Sequence, residues 1–300
     1  MNTDNLKSLV SGAFIVDKPV GITSHDVVQI IRRGTGIRRV GHTGTLDPRA
    51  SGVLVVLVGP SVRLSEFISA SDKRYQATIH LGSSTETYDA ESIPTEEVEV
   101  DVTEEHFSEL LNSYIGEIEQ VPPPYSAVKV NGKKAYELAR KGEEVELEPR
   151  MINVYSLEVL EWALPEVVID AHCSSGTYIR SLAHDLGEEL GIGAHLVGLR
   201  RTMNGRFSMR DAVSLRRLKE AFELGSWAQF LIPASEALGD WYTITVDSDQ
   251  LNLVRNGHRI PAADDAPELA RAISEQGDLV AILALVEETR EWQPRKVFMS

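Results

Sequence analysis

An α+β fold built on a mixed sheet follows from three features of this 300-residue sequence. Stretches with strand character and stretches with helix character do not alternate in a strict strand–helix–strand rhythm, which argues against a doubly wound parallel sheet. One continuous apolar run, GVLVVLVG (residues 52–59), has the length and the glycine borders of a strand buried on both faces. Elsewhere apolar and polar residues alternate, as in YQATIHLG (75–82), the pattern of a half-buried strand.

The elements follow in order. AFIVDKP (13–19) reads as a short strand ended by a proline, and Ser24 as the N-cap of a helix, HDVVQIIRRG, that stops at Gly34. After the two strands above, residues 83–100 are polar, acidic and loop-like. TEEHFSELLNSYIG (103–116) has a capping threonine and helical apolar spacing. Residues 121–142, VPPPYSAVKVNGKKAYELARKG, hold a triple proline, a short strand, an Asn-Gly turn and a basic helix. Residues 167–191 read as strand, turn and helix; residues 194–208 as two strands around a second Asn-Gly; and LRRLKEAFELG (215–225) as a helix. A boundary falls near residues 233–240. WYTITV, GDLVAILALV and RKVF beyond it read as strands of a small β-rich module, giving domains of 1–235 and 236–300.

Apolar content of 42% and charged content of 25% are ordinary for a globular protein. No apolar run reaches the roughly 18 residues of a membrane span, and the first residues lack the basic-then-apolar pattern of a secretory leader. A cytoplasmic location is the expectation. The single cysteine, Cys173, excludes an internal disulfide and a cysteine-based metal cluster, and its apolar strand context reads as a buried thiol.

The net charge of −15 alone argues against a nucleic-acid partner, but its distribution does not. Residues 75–128 contain twelve acids and no Lys or Arg, and residues 235–300 hold twelve acids against six bases. Arginines collect elsewhere, in 32–49 and 180–210, so a local basic surface can meet phosphate while the remainder stays acidic.

Motifs for a phosphate loop, a dinucleotide fold, a serine-hydrolase elbow and a zinc protease are all missing, and the eight histidines lack metal-ligand spacing. Asp47 stands out as the one acid in VGHTGTLDPRASGVL (40–54). By composition alone it reads better as a turn or helix-capping aspartate, since Asp-Pro starts turns. Small neighbours let a backbone approach a flat ligand, and His42 adds an aromatic edge. A carboxylate in such a pocket needs a cation, because unpaired buried charge is costly, and an ionised one can act as a nucleophile. Spacing does not say which arginine would serve.

Taken together, five ordered motifs resemble the TruB-type tRNA pseudouridine synthases. DKPVGITSHDVV carries the family's opening through Lys18, Pro19, Gly21, Thr23 and Ser24. GHTGTLDPRASGVL matches the catalytic motif, KRYQATIHLGSSTETYDAE the next, and CSSGTYIRSLAHDLG and HLVGLRRTMNGRF the last two. The likeness spans about residues 13–208. It implies a mainly antiparallel central sheet flanked by helices, with an RNA-gripping insertion around 121–150 and a PUA-like domain at the C-terminus.

The resemblance further implies isomerisation of uridine to pseudouridine at position 55 of the tRNA T-arm, after the base is flipped from its stack. Asp47 would be the nucleophile, Arg180 its cationic partner, and Tyr75 the ring stacked on the base and a candidate proton acceptor. His42 would fill the vacated space, with Tyr178, Leu199, Asp89 and Lys18 lining the site. Arg32, Arg33, Arg38, Arg39, Lys129, Lys133, Lys134, Arg200 and Arg201 would meet phosphates. No metal, cofactor, membrane or obligatory protein partner is implied, and the expected state is a monomer. Two alternatives stand beside this: a guide-RNA-dependent relative acting on ribosomal RNA, and a non-catalytic protein that helps tRNA fold.

Overall fold

The computed structural model describes residues 10–298 apart from 127, 131, 144 and 145. In chain order the strands are β1 (Gly12–Lys18), β2 (Val40–His42), β3 (Ala50–Val58), β4 (Lys73–Leu81), β5 (Gly116–Gln120), β6 (Lys129–Val130), β7 (Lys133–Lys134), β8 (Arg150–Ala163), β9 (Glu166–Cys173), β10 (Ala194–Asn204), β11 (Phe207–Ser208), β12 (Val213–Ser214), β13 (Ile232–Pro233), β14 (Thr243–Val246), β15 (Ile260–Pro261), β16 (Leu269–Ser274), β17 (Leu279–Val286) and β18 (Glu291–Val297). Helices cover Ser24–Thr35, Ser65–Ser69, Glu104–Ser113, Ala135–Ala139, Ile179–Glu189, Leu215–Glu223 and Ser248–Arg255. The fold is α+β. Parallel pairing occurs at β1–β12, β3–β10 and β14–β16. The pairs of β4 with β9 and β10, and of β8 with β5 and β9, are antiparallel. No helix among the described residues is long and apolar enough to cross a membrane.

The chain divides into two compact units. The first takes the described residues of Met1–Asp47, Leu54–Ser69 and Arg210–Ser300; the second takes Pro48–Val53 and those of Ala70–Met209.

In the first unit β1 lies between β12 and β3, and β2 pairs antiparallel with β3. The reason β3 forms is visible in its burial: Val53, Leu54, Val55, Val56, Leu57 and Val58 are all at 0% exposure. Burying a run of valines and leucines on both faces contributes about 1.5–3 kcal/mol per side chain. Phe14 of β1 meets Phe222 and Trp227 edge-on, with ring centroids 6.3 Å and 6.1 Å away.

The helix Ser24–Thr35 departs from the sequence reading at both ends. Thr23 is the N-cap, bonding Asp26 in a reciprocal box, and the helix passes Gly34 to close on a left-handed Gly36. The residue expected to cap it, Ser24, is buried and occupied elsewhere, as described below.

The C-terminal strands form their own sheet in the order β14-β16-β17-β18-β15, around a core that includes Val254, Val280, Leu283 and Trp292. The last strand is tied to an N-terminal segment of the same unit. Arg63 Nη1 donates to the Val297 carbonyl (2.5 Å), Lys296 Nζ donates to the Arg63 carbonyl (2.7 Å), and Glu66 pairs with Lys296 and with Arg295.

In the second unit β10 pairs on one side with the start of β3 and on the other with β4; the order then continues β9, β8, β5. Residues 121–142 contain the short β6–β7 hairpin and a five-residue helix.

Candidate active site

The loop that carries Asp47 connects β2 to β3, and two anchors within the first unit hold it. Thr43, at 0% exposure, donates its N–H to the Val55 carbonyl (3.1 Å). The Ser24 hydroxyl accepts from the Leu46 N–H (2.8 Å) and donates to the Leu46 carbonyl (2.9 Å). Two bonds to one residue fix both its position and its peptide orientation, so the residue just before Asp47 is pinned. Ser24 cannot cap its helix because its oxygen does this instead. Asp47 itself is half-buried. His42 is half-buried as well, and its Nδ1 accepts from the Gly44 N–H (3.4 Å).

Lys18, assigned to the site in the sequence, lies at the end of β1. It is at 0% exposure, and its ammonium donates to the carbonyls of Pro19 (3.0 Å) and Ile22 (2.8 Å), closing the turn that leads into the Ser24–Thr35 helix.

In the second unit Tyr75 is 9% exposed on β4, in register with Arg201 of β10 and Ala171 of β9. Leu199 is half-buried on β10, facing Ala77 on one neighbour and Ala50 on the other. Gly52 is a glycine for a structural reason: with φ at +100°, an added Cβ would meet the Arg201 carbonyl oxygen at 2.2 Å.

Arg180 opens the helix Ile179–Glu189 and is 8% exposed. Its Nη1 lies 3.6 Å from the Asp89 carboxylate and donates to the carbonyls of Tyr125 (3.2 Å) and Thr87 (3.4 Å). Asp89 is buried too, and its Oδ1 accepts from the Thr87 hydroxyl (2.6 Å) and the Glu91 N–H (2.9 Å). The structure thus brings together Arg180 and Asp89, two of the residues singled out in the sequence. A buried guanidinium with a carboxylate and carbonyl acceptors has a fixed direction, which a solvated one lacks.

Gln120 has no signal in the sequence. It is 3% exposed and grips Tyr178 from both sides: its Oε1 accepts from the Tyr178 N–H (2.8 Å) and its Nε2 donates to the Tyr178 carbonyl (3.0 Å). Ser181 donates to the Val121 carbonyl (2.7 Å). The proline-rich segment therefore braces the start of the helix that carries Arg180. A glutamine 58 residues upstream of its partner leaves no periodic trace.

Among the residues assigned to phosphate, Arg33, Arg38, Arg39, Lys129 and Lys133 are exposed. Arg201, given the same assignment, is buried. At 1% exposure its Nε donates to the Val53 carbonyl (2.8 Å), so its guanidinium is taken up inside the unit. Arg200 is half-buried, with Nη1 3.3 Å from the Ser51 hydroxyl. Arg32 is also partly spent, donating to the Gln29 side chain (3.2 Å) and the Val40 carbonyl (3.4 Å). The side chain of Lys134 lies outside the described residues.

Behind Tyr75, burial pushes the Lys73 ammonium down to about 8, with repulsion from Arg201 acting in the same direction. Burial pushes the Cys173 thiol up to about 11.

Two family models cover most of this chain. The family described as "TruB family pseudouridylate synthase (N terminal domain)" matches residues 32–179, and "tRNA pseudouridylate synthase B C-terminal domain" matches 180–238. A tRNA pseudouridine synthase B of Solibacter usitatus is 42% identical over 278 residues, covering 91% of this chain and 95% of that one. The protein of the same name from Clostridium tetani is 44% identical over 252 residues, 84% of this chain and 86% of that one. Among solved structures, a chain of a Cbf5-Nop10-Gar1 complex superposes with a TM-score of 0.78 at 27% identity, over 99% of this chain and 88% of that one. A chain of an H/ACA RNP bound to a substrate RNA superposes with a TM-score of 0.76 at 26% identity, over 100% of this chain and 88% of that one.

Proposed function

The chain belongs to the TruB family of pseudouridylate synthases, and from that premise we propose that it converts uridine to pseudouridine at position 55 in the T-loop of tRNA, with Asp47 as the nucleophile. The observation that carries this reading is the pinned Asp47 loop. A nucleophile must be presented in one geometry, and the paired Ser24–Leu46 hydrogen bonds supply that constraint one residue away.

The proposed sequence needs nothing beyond the RNA. The target uridine leaves its stack at a cost of a few kcal/mol, which contacts to the surrounding RNA offset. Asp47 adds to the nucleotide, the N1–C1′ bond breaks, the uracil turns, C5 bonds to C1′, the bond to Asp47 breaks to return its carboxylate, and the C5 proton is lost as N1 gains one. Substrate and product are isomers, so atoms and electrons balance without oxidant or co-substrate. The outcome is the same whether attack falls on C6 or on C1′, or elimination at the sugar comes first. Arg180 is the cation assigned to pair with and aim Asp47; Tyr75 is assigned to the face of the flipped base and to proton acceptance. His42 fills the gap in the RNA, and Tyr178, Leu199 and Asp89 complete the site.

The exposed Arg33, Arg38, Arg39, Lys129 and Lys133 are assigned to phosphates, with residues 121–150 as the RNA grip and 236–300 as an accessory module. The protein acts in the cytoplasm as a monomer without an obligatory partner. The stand-alone reading is supported by relatives named tRNA pseudouridine synthase B at 42–44% identity, against 26–27% for chains of an H/ACA RNP and of a Cbf5-Nop10-Gar1 complex.

The test is a T-arm stem-loop incubated with purified protein alone, followed by mass spectrometry to map the changed uridine. Conversion of one T-loop uridine is expected; no conversion without added protein or guide would favour the guide-dependent relative. Asp47→Asn is expected to abolish conversion while keeping T-arm affinity within about tenfold, or about 1.4 kcal/mol. A larger loss of affinity would make Asp47 a structural residue.

A further inference from the structure

Arg180 takes two of its acceptors from one turn, the Thr87 carbonyl and the Asp89 carboxylate. The residue between them, Tyr88, sits at a φ of +61°. A bulky L-residue avoids this left-handed region because its Cβ crowds the following carbonyl, so local preference alone does not hold the turn. Part of the restraint is backbone. The Tyr88 N–H donates to the Thr85 carbonyl (3.2 Å), the Leu196 N–H to the Tyr88 carbonyl (3.0 Å), and the Ala90 N–H to the Leu196 carbonyl (3.0 Å).

Side chains add to it: the Thr85 hydroxyl donates to the Asp89 carbonyl (2.8 Å) and the Thr87 N–H to the Ser92 hydroxyl (3.0 Å), and the Tyr88 ring makes a further contact. It lies flat on the imidazole of His184, with centroids 3.8 Å apart and planes at 7°. His184 stands four residues after Arg180 on the helix Ile179–Glu189, and so on the same face one turn along. Burial keeps the His184 pKa below its ordinary value, with Glu188 acting weakly the other way, so the ring is neutral at neutral pH. No hydrogen bond to a described residue holds its buried Nδ1. Ring-on-ring packing therefore joins the Arg180 contacts in tying the turn to the helix.

We infer that Tyr88 and His184 are positioning residues for the reaction. Their stack locks the left-handed turn against the helix, so that Thr87 and Asp89 hold the Arg180 guanidinium in one orientation. The inference rests on the assignment of Arg180 as the partner of the nucleophile. A guanidinium that must aim a carboxylate is sensitive to small displacements, because misplacement by about 1 Å can cost about a hundredfold in rate.

The test measures kcat and KM for pseudouridine formation on T-arm RNA with the full chain and four variants, each normalised to RNA-binding-competent enzyme. Tyr88→Gly is the informative change, because glycine enters the left-handed region freely and keeps the turn's backbone while the ring is lost. Tyr88→Gly and His184→Ala are expected to lower kcat by about ten- to a hundredfold with KM within about threefold. Tyr88→Phe and His184→Phe, which keep two stacked rings, are expected to retain most of kcat. Should Tyr88→Gly fail to fold, His184→Ala carries the same test from the helix side. Wild-type kcat in the ring-loss variants, or a loss confined to KM, would overturn the inference while leaving the proposed function standing. A wild-type chain that makes no pseudouridine would overturn the proposed function itself.

Discussion

Cys173 ends β9 at 1% exposure, and its thiol titrates near 11 because burial disfavours the thiolate. A thiol in that state is a poor nucleophile. Iodoacetamide at pH 8 is expected to leave the native chain unlabelled and to add one equivalent after denaturation; native labelling at a comparable rate would show the strand opening. Single residues were also where sequence reading separated most sharply into what it could and could not see. Asp47, Tyr75 and Arg180 can be singled out as candidates because each sits in an ordered motif. The burial of Lys18, read as a site residue, and of Arg201, read as a phosphate contact, leaves no mark in one dimension, since a buried cation and an exposed one share the same letter. Only the turn carbonyls around Lys18 and the strand beside Arg201 reveal where their charge is spent. Tyr88 and Gln120 were invisible for a related reason: their partners lie on distant segments, and neither stacking nor a paired amide clamp has a periodicity.

Helices and strands were easier to read than single roles, because apolar spacing and caps act locally. The helix Glu104–Ser113 begins behind Thr103 as its spacing implies. The helix Ser24–Thr35 shows where local rules yield to packing. Gly34 resembles a stop signal, yet it lies within the helix because a Cβ there would meet the Phe222 ring at 2.2 Å. The glycine serves a close helix–helix approach, and the stop falls two residues on. The Ile179–Glu189 helix carries a cost that pH can expose. Burial pushes the Asp185 carboxyl up to about 6, with Glu188 adding repulsion. The folded chain keeps a proton that an unfolded aspartate releases between 3.8 and about 6, so stability falls as pH rises through that window and stays lowered above it. Asp185→Asn removes the effect. Its melting temperature is expected to match wild type near pH 4 and to exceed it at pH 7; equal values at both would refute the account.

At the scale of the whole molecule, a net charge of −15 coexists with exposed arginines in one short stretch. If Arg38 and Arg39 meet phosphates, binding of T-arm RNA weakens linearly in log–log plots against salt, and each substitution to alanine is expected to reduce the slope by about one. An unchanged slope would remove them from the interface. The fold class was legible in the arrangement of strands and helices, but the division of the chain into units was not, because contacts gather segments that the sequence keeps apart. The first unit is the clear case. Its strand β1 has β3 on one side and must wait for β12 on the other, while the last strand, β18, is fastened to Arg63 and Glu66. On a ribosome, then, β1 emerges early with one edge unfilled until Val213 has been translated, and the clasp on Arg63 can close only after Val297 has been translated. The second unit draws nearly all of its residues from one unbroken run, so it is free to fold before the first has all of its segments.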